Sequence, residues 1–427
     1  MALSLILPIS VTLFGLYMLI KLRAFFIIHP IKTVTLFKKS LVQKKNRTSL
    51  YLALAGTLGV GNIFGVAAGI TLGGAGSVFW LLISAFFSMV IKYCETTLAE
   101  REGELGRGTH FAIKGSFKKS GNLLSKIYAV LCLGLAFFMG ASLQTKAIYD
   151  SFDTENNISL LFLVFFAVLI AISVLGGIDN IEKITAIIIP LTTIIYILLS
   201  LSVIIINFEM LDDAVISVVN SAISPKALGG GMLGFFTSSA IKEGYSRGIL
   251  SNEAGLGTSA LAHSRSDKRL PALSGLYGMC EVFFDTVILC PLTAFMILTV
   301  NPNPADNISP MQLISEAVST SLGKPFSYLL SLLILSFGYS TVTCWYYYGT
   351  ECANFLFGKS PKGYFLVLYI VFIALGVYAH NTLLLYLTDL IILFMTLIMT
   401  VLILKEQRFI IEETEKVFKN KTGNSSG

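Results

Sequence analysis

The sequence predicts an all-α polytopic membrane protein with eleven transmembrane helices, arranged as one N-terminal helix plus a 5+5 inverted repeat. Hydrophobic residues make up 55% of the 427 residues, charged residues only 13%, and the mean hydropathy is +0.77. Apolar runs of about twenty residues recur along the whole chain. Lysine and arginine concentrate in alternate connections between these runs, as expected of loops that stay in the cytoplasm.

The predicted spans can be followed from the N-terminus. No basic residue precedes the first apolar run, so it lacks a signal-peptide pattern and is long enough to remain as a span. The eleven runs lie near residues 3–28, 49–72, 77–99, 124–147, 158–176, 181–207, 230–262, 271–300, 326–352, 363–379 and 382–404.

The connection at 30–47 sets the predicted orientation. Its five lysines and one arginine place it in the cytoplasm, which puts the N-terminus outside and the C-terminus inside. Connections predicted to lie outside hold few cations and several acids, such as Asp212 and Asp213. We therefore expect a multi-pass membrane protein in this orientation.

Ten spans remain when the first is set aside, and two groups of five must enter the membrane from opposite sides because five is odd. The predicted domains are the N-terminal helix with its basic loop (1–47), the first repeat (48–208), the second repeat (209–404) and a cytoplasmic polar tail (405–427). We expect this tail to be mobile from Glu406 onward.

The first helix of each repeat is predicted to be broken. Residues Ala55–Asn62 place three glycines and an asparagine between apolar flanks. The run 230–262 begins at the glycines Gly229–Gly231 and contains a charged stretch at Lys242–Gly248 and the segment Ser251–Gly257. Unpaired backbone groups cost several kcal/mol in hydrocarbon, so such breaks are tolerated only where they face protein or a polar cavity. Half-helix ends can bind a carboxylate or a cation, so the breaks predict a solute site.

The remaining patterns predict packing rather than chemistry. Gly61, Gly65, Gly69 and Gly73 recur every fourth residue, so they share a helix face where another helix can approach closely. Trp80 is predicted to be an interfacial anchor.

Other classes of function fit less well. The net charge of +6 lies in loops, where topology explains it better than a nucleic-acid partner. The stretch Gly59–Gly61 lacks the strand and the later glycine of a dinucleotide site. No nucleophile with its base is visible, so we predict neither an enzyme nor a cofactor. His110 and His263 fall in predicted cytoplasmic loops and are assigned no chemistry. The cysteines lack metal-site spacing and are predicted to be buried free thiols, namely Cys94, Cys132, Cys280, Cys290, Cys344 and Cys352.

Four blocks of the sequence resemble the alanine or glycine:cation symporter family. They are Ala53–Ile63 with the following Gly73–Gly76, then Arg247–Gly257, Val282–Thr286 and Ser340–Gly349. The resemblance spans residues 50 to 357 or thereabouts and implies sodium-driven uptake of alanine or glycine by alternating access, on the inverted-repeat fold of the bacterial leucine transporter. We expect a monomer whose partners are a small neutral amino acid, sodium and the lipid bilayer.

The resemblance also implies a sodium site. Its ligands would be the backbone carbonyls of Ala55, Leu58 and Phe337 and the hydroxyls of Ser340 and Thr341. Five neutral oxygens suit a hard monovalent cation, whereas magnesium or calcium would favour carboxylates. The alternative is that the two hydroxyls only bond back to their own helix.

For the amino acid, the resemblance implies a larger set of binding residues: Thr57, Gly59, Val60, Gly61, Asn62, Gln144, Thr341, Cys344 and Trp345. Two of them depart from the family, which usually has threonine at position 60 and glycine at position 344. The run Gly140–Ser142 also replaces a familiar asparagine. These departures predict a less polar pocket of different shape.

Several charged residues keep open roles. Lys242, Glu243 and Arg247 could form a gate or a structural ion pair, and Asp285 could be functional or could make an interhelical hydrogen bond. Glu243 or Asp285 could also titrate in a proton-coupled carrier for another small amino acid. A sensor that binds without transport is the remaining alternative.

Overall fold

The computed structural model describes residues 3–41, 44–100, 108–117, 119–152, 158–223, 239–263, 271–301, 308–358 and 362–419, and every regular element in these ranges is helical. The first half contains α1 (Leu3–Lys21), α2 (Phe25–Ile28), α3 (Pro30–Ser40), α4 (Lys44–Thr57), α5 (Phe64–Gly73), α6 (Gly76–Ala99), α7 (Thr109–Ser116), α8 (Gly121–Leu135), α9 (Gln144–Ser151), α10 (Ile158–Leu175), α11 (Ile178–Ile206) and α12 (Leu211–Ala222). The second half contains α13 (Ser239–Asn252), α14 (Ser259–His263), α15 (Pro271–Val282), α16 (Cys290–Leu298), α17 (Pro310–Leu322), α18 (Lys324–Phe357), α19 (Lys362–Tyr378) and α20 (Asn381–Lys419).

Six of the described helices are long and apolar enough to cross a membrane, and a bent pair can supply a seventh crossing. The six are Gly76–Ala99, Gly121–Ser151, Ile178–Ile206, Pro271–Leu298, Lys324–Phe357 and Asn381–Phe418. The pair Arg47–Thr57 and Val60–Gly73 meets at 53°. Three shorter apolar helices are Leu5–Lys21, Leu161–Leu175 and Gly363–Tyr378. The all-helical, multi-pass prediction is therefore confirmed, whereas the count of eleven and the inverted repeat stay predictions.

The two ends of the chain differ from the sequence prediction. The first span is not one helix to residue 28, because Arg23 and Ala24 have positive φ angles of 55° and 47° and separate α1 from α2. At the other end α20 does not stop at 404 but continues to Lys419. This extension beyond residue 404 buries Ile410 and Thr414 at helical spacing, so it packs as a helix through residue 419. Residues 420–427 of the predicted tail lie outside the described residues.

The glycine stripe of α5 is a packing face, as predicted. A methyl group at Gly69 would lie 3.2 Å from the Cγ atom of Arg247, and one at Gly73 would lie 2.9 Å from the Cβ atom of Glu243. Both partners belong to α13. The stripe therefore lets α5, which follows the first predicted break, lie directly against α13.

Helix α18 buries many of its residues and packs against α4, α8, α9 and α11. Two π-helical stretches, Ala136–Leu143 and Phe283–Leu289, interrupt the spans that carry Gln144 and Asp285. Such wide turns re-aim side chains and often occur at functional sites. All six cysteines are free thiols, and Cys280 alone among them is only partly buried.

Candidate functional site

The first predicted break lies between α4 and α5. Helix α4 ends at Thr57, a single 3-10 turn covers Val60–Asn62, and Gly59 between them is extended, with φ −120° and ψ −155°. A methyl group at Gly59 would lie 2.5 Å from the Oγ1 atom of Thr341 and 3.0 Å from the Oε1 atom of Gln144. Glycine at this position therefore allows two other helices to reach the break.

Three of the five predicted sodium ligands meet at this break. The Thr341 hydroxyl donates to the carbonyl oxygen of Ala55 at 2.9 Å and lies 3.5 Å from that of Leu58. The Ser340 hydroxyl instead donates to the carbonyl of Phe337 at 2.8 Å, on its own helix. All five residues are buried. The donor set is neutral oxygen throughout, which fits a hard monovalent cation.

Gln144, which follows the π-helical stretch Ala136–Leu143, also contacts the first break. Its Oε1 atom accepts a hydrogen bond of 3.0 Å from the backbone N–H of Val60. The structure thus brings together Gly59, Val60, Gln144 and Thr341, four of the predicted solute-binding residues. A solute carboxylate could accept a hydrogen bond from the same N–H group of Val60 that Gln144 accepts from here.

Other predicted solute-binding residues lie around this centre with partners of their own. The Thr57 hydroxyl lies 3.4 Å from the carbonyl of Ala53 in its own helix, and the Cys344 thiol donates to the carbonyl of Leu52 at 3.3 Å. Gly61 faces α13, where a methyl group would lie 3.3 Å from the Cα atom of Ser251. The Trp345 side chain is fully buried.

A buried carboxylate connects Asn62 to the second broken helix. The Asn62 amide donates to the Oδ1 atom of Asp285 at 2.5 Å, and Ser251 donates to the Oδ2 atom at 2.7 Å. The Oδ1 atom of Asn62 is buried and has no hydrogen-bond partner among the described residues. Asp285, whose role the sequence left open, therefore bridges both breaks, and Ser251 is a site residue that sequence reasoning missed.

The charged stretch of α13 forms an ion-pair cluster. Arg247 is buried, and its Nη2 atom lies 2.5 Å from the Oδ2 atom of Asp389 while its Nε atom lies 3.2 Å from the Oε2 atom of Glu243. A cavity of about 260 Å³ adjoins the cluster and is lined in part by Lys242 and Ser246. Asp389 could not be assigned to this cluster from the sequence, because it lies 142 residues from Arg247 in α20.

The two histidines lie in the protein interior rather than in exposed loops. His110 packs between the rings of Phe111 and Phe355, and burial lowers its pKa to about 4. His263 is fully buried and contacts the Glu281 carboxylate through its Nε2 atom.

Comparison with known proteins gives a consistent family. The sodium:alanine symporter family matches residues 1–426. A transporter of Haemophilus influenzae is 31% identical over 399 residues, which cover 90% of this chain and 86% of the relative. The sodium/alanine symporter AgcS of Methanococcus maripaludis is 32% identical over 321 residues, 73% of this chain and 70% of the relative. A probable sodium/glutamine symporter of Bacillus subtilis, GlnT, is 30% identical over 363 residues, 82% of this chain and 74% of the relative.

The match runs through all the described helices and includes both breaks. It agrees with the multi-pass helical fold, and it identifies a transporter rather than an enzyme. The chain belongs to the sodium:alanine symporter family, whose members carry amino acids together with sodium.

Proposed function

We propose that this protein takes up a small neutral amino acid, alanine or glycine, together with sodium. The observation that carries the proposal is the Thr341 hydroxyl, which reaches the two carbonyls released by the first break from a helix 286 residues further along the chain. The helix break leaves these oxygens without an intrahelical partner, and a cation is the ligand they suit.

The sodium ion would be held by Ala55, Leu58, Phe337, Ser340 and Thr341. In the structure the Thr341 hydroxyl donates a hydrogen bond to the Ala55 carbonyl oxygen. On binding, its hydroxyl hydrogen turns away and its oxygen lone pair faces the ion together with the carbonyls. No carboxylate is needed, which favours sodium over a divalent ion.

The amino acid would lie beside the ion, among the residues around Gly59, Val60 and Gln144. Its carboxylate would take the N–H groups of the break, and the amide oxygen of Gln144, released from Val60, would accept from its ammonium group. Asn62, Thr341, Cys344 and Trp345, together with Thr57 and Gly61, would complete the pocket. If both occupants favour closure, each raises the affinity for the other by the same factor.

The finer topology is part of the same proposal. Eleven crossings with repeats at 48–208 and 209–404 would put the N-terminus outside and the C-terminus in the cytoplasm of a bacterium or archaeon. The basic connection at 30–47 supports this orientation. We propose that the protein is a monomer, as the family resemblance implies.

A proton-coupled carrier is the second candidate, and the observation that favours it is Asp285. Its carboxylate is fully buried, contacts Asn62 and has no ion-pair partner among the described residues. A buried carboxylate of this kind can alternate between charged and protonated forms. A sensor that binds without transport has no comparable observation in its favour.

Uptake of labelled alanine into proteoliposomes separates these functions. We expect accumulation with an inward sodium gradient and none when potassium replaces sodium or when only a proton gradient is applied. Accumulation with the proton gradient alone would establish the second candidate instead. Binding without accumulation under all three conditions would support a sensor.

A further inference from the structure

The second break lies between α13 and α14. Helix α13 ends at Asn252, and the next helix begins at Ser259. In this segment Glu253, Gly255 and Gly257 have positive φ angles of 56°, 81° and 72°. Glycine adopts this backbone easily, but Glu253 has a side chain and is held in a conformation that glutamate rarely adopts. A non-glycine residue in this conformation, at a break and fully buried, calls for a reason.

Two side chains of α6 hold the backbone of this segment. The Lys92 ammonium donates to the carbonyl oxygen of Asn252 at 2.9 Å. The Oε2 atom of Glu95 accepts from the N–H groups of Gly255 at 2.9 Å and Gly257 at 3.1 Å. Lys92 and Glu95 are buried and lie 3.6 Å apart as an ion pair. The second break is therefore fixed by charged groups of the protein itself.

The carboxylate of Glu253 extends from this fixed segment to α18. It accepts a hydrogen bond of 2.5 Å from the Thr258 hydroxyl and one of 3.1 Å from the indole N–H of Trp345. The indole also packs edge-on against Tyr348, with ring centroids 5.4 Å apart, and lies directly against Gly140. Its orientation is thus set by one hydrogen bond and two packing contacts.

Trp345 follows Cys344 and lies one turn after Thr341 in α18. Its hydrogen bond to Glu253 therefore connects the second break to the wall of the solute pocket. We propose that Glu253 is a positioning residue, which holds the Trp345 indole in place and thereby limits the size of the amino acid that fits. This inference rests on the proposed function, which places Trp345 beside the solute.

Two substitutions of Glu253 separate its hydrogen bond from its charge. Glu253→Gln keeps a carbonyl oxygen that can accept from the indole N–H, whereas Glu253→Met has a similar length but no comparable acceptor. Trp345→Phe is a second test at the other end of the same hydrogen bond, because it removes the indole N–H and leaves Glu253 unchanged. Uptake of labelled alanine and of labelled glutamine into proteoliposomes under an inward sodium gradient measures the size preference of each variant.

We expect Glu253→Met and Trp345→Phe each to lower the ratio of alanine to glutamine uptake about tenfold, the usual effect of losing a hydrogen bond to a charged group. Glu253→Gln should stay within about twofold of the wild-type ratio, because its acceptor is retained. The double variant Glu253→Met, Trp345→Phe should be no worse than either single variant, because both remove the same hydrogen bond.

Fluorescence tests the hydrogen bond without transport. The chain has two tryptophans, so Trp80→Phe leaves Trp345 as the single reporter. In the Trp80→Phe background we expect Glu253→Gln to leave the emission maximum of Trp345 unchanged. Glu253→Met should shift this maximum, because the indole N–H loses its hydrogen-bond acceptor.

If Glu253→Met keeps sodium-driven uptake with an unchanged ratio of alanine to glutamine, Glu253 does not position Trp345. The same holds if the double variant lowers this ratio more than either single variant. Both results would refute the inference about Glu253 and leave the proposed function intact. Absence of sodium-driven uptake by the wild-type protein would refute the proposed function, whatever the emission shows. If Glu253→Met does not fold, the ratio measured for Trp345→Phe decides, and a wild-type ratio there overturns the proposal.

Discussion

Removal of the Thr341 hydroxyl tests the proposed ion site most directly. In Thr341→Ala the carbonyls of Ala55 and Leu58 keep their places at the break, but the hydroxyl that contacts both is gone. The side chain is fully buried in α18, so the change leaves a small gap rather than a new surface. The substitution therefore removes one of the five proposed sodium ligands with little other change.

The expected size of the effect follows from two opposing contributions. A contact between a polar group and a charge contributes about 2 kcal/mol, and this is lost in the variant. Binding of sodium to the wild-type protein must first break the hydrogen bond from Thr341 to Ala55, which costs about 1 kcal/mol that the variant avoids. The net loss of about 1 kcal/mol raises the sodium concentration for half-maximal uptake about fivefold.

The assay is alanine uptake into proteoliposomes over a range of sodium concentrations. Thr343→Ala is the matched control, because among the described residues the Thr343 hydroxyl bonds within its own helix, to the carbonyls of Ser340 at 2.9 Å and Tyr339 at 3.1 Å. Thr341→Ser, which keeps the hydroxyl, should recover most of the sodium affinity. An unchanged sodium dependence in Thr341→Ala, or an equal change in Thr343→Ala, would refute the ion assignment.

Four further predictions concern the pocket and its surroundings. Cys344→Gly should widen the range of amino acids taken up, because it removes a side chain from the pocket wall and so enlarges the pocket. Competition by unlabelled amino acids measures this range, and an unchanged range would contradict the prediction. Gly59→Ala should abolish sodium-driven uptake, since its methyl group would lie 2.5 Å from the Thr341 hydroxyl oxygen; Gly115→Ala, with open space around it, is the control. Asp285→Asn should weaken alanine binding about tenfold by removing a charge-assisted hydrogen bond to Asn62, and binding equal to wild type would show that this bond is not used. The pKa of His110 is lowered to about 4, so its unfolded form gains a proton as the pH falls below about 6.5 while its folded form does not. The free energy of unfolding should therefore fall by at most about 3 kcal/mol as the pH drops from about 6.5 to about 4. If the thermal unfolding of His110→Phe is as sensitive to acid as that of the wild-type protein, His110 is not the cause of the loss.

The first break could be predicted because its signal is local. Glycine and asparagine within an apolar run contradict a continuous span, and the structure bends there by 53° between residues 57 and 60. The meeting of Thr341 with this break followed from the family resemblance rather than from spacing, since the two segments are 286 residues apart. The second break was also expected, but its charged stretch at Lys242–Arg247 is helical and the described non-helical segment is 253–258. Residues 229–231, the glycines that were expected to begin it, lie outside the described residues.

The contacts between charged residues could not be predicted from the sequence. Lys92 and Glu95 lie within a long apolar helix, and only the tertiary fold shows that they contact the backbone at residues 252–257. Asp389 in α20 gave no sign that it would meet Arg247. The continuation of α20 to Lys419 was missed for a similar reason. Its polar sequence is typical of an exposed tail, and only the tertiary fold shows that one face of it is buried against other helices.

The two breaks differ in a way that bears on which of them can exchange ligands. At the first break, neutral groups satisfy the backbone, namely the Thr341 hydroxyl and the Gln144 amide, and each such hydrogen bond contributes only about 1 kcal/mol. At the second break, the buried ion pair of Lys92 and Glu95 does so, and removing one member of such a pair costs about 3–5 kcal/mol. A sodium ion and a carboxylate can therefore displace the ligands of the first break at small cost, whereas the second break keeps its own. This difference favours the first break as the place where the solute and the ion bind, with the second break as a fixed support that acts on the pocket through Glu253 and Trp345.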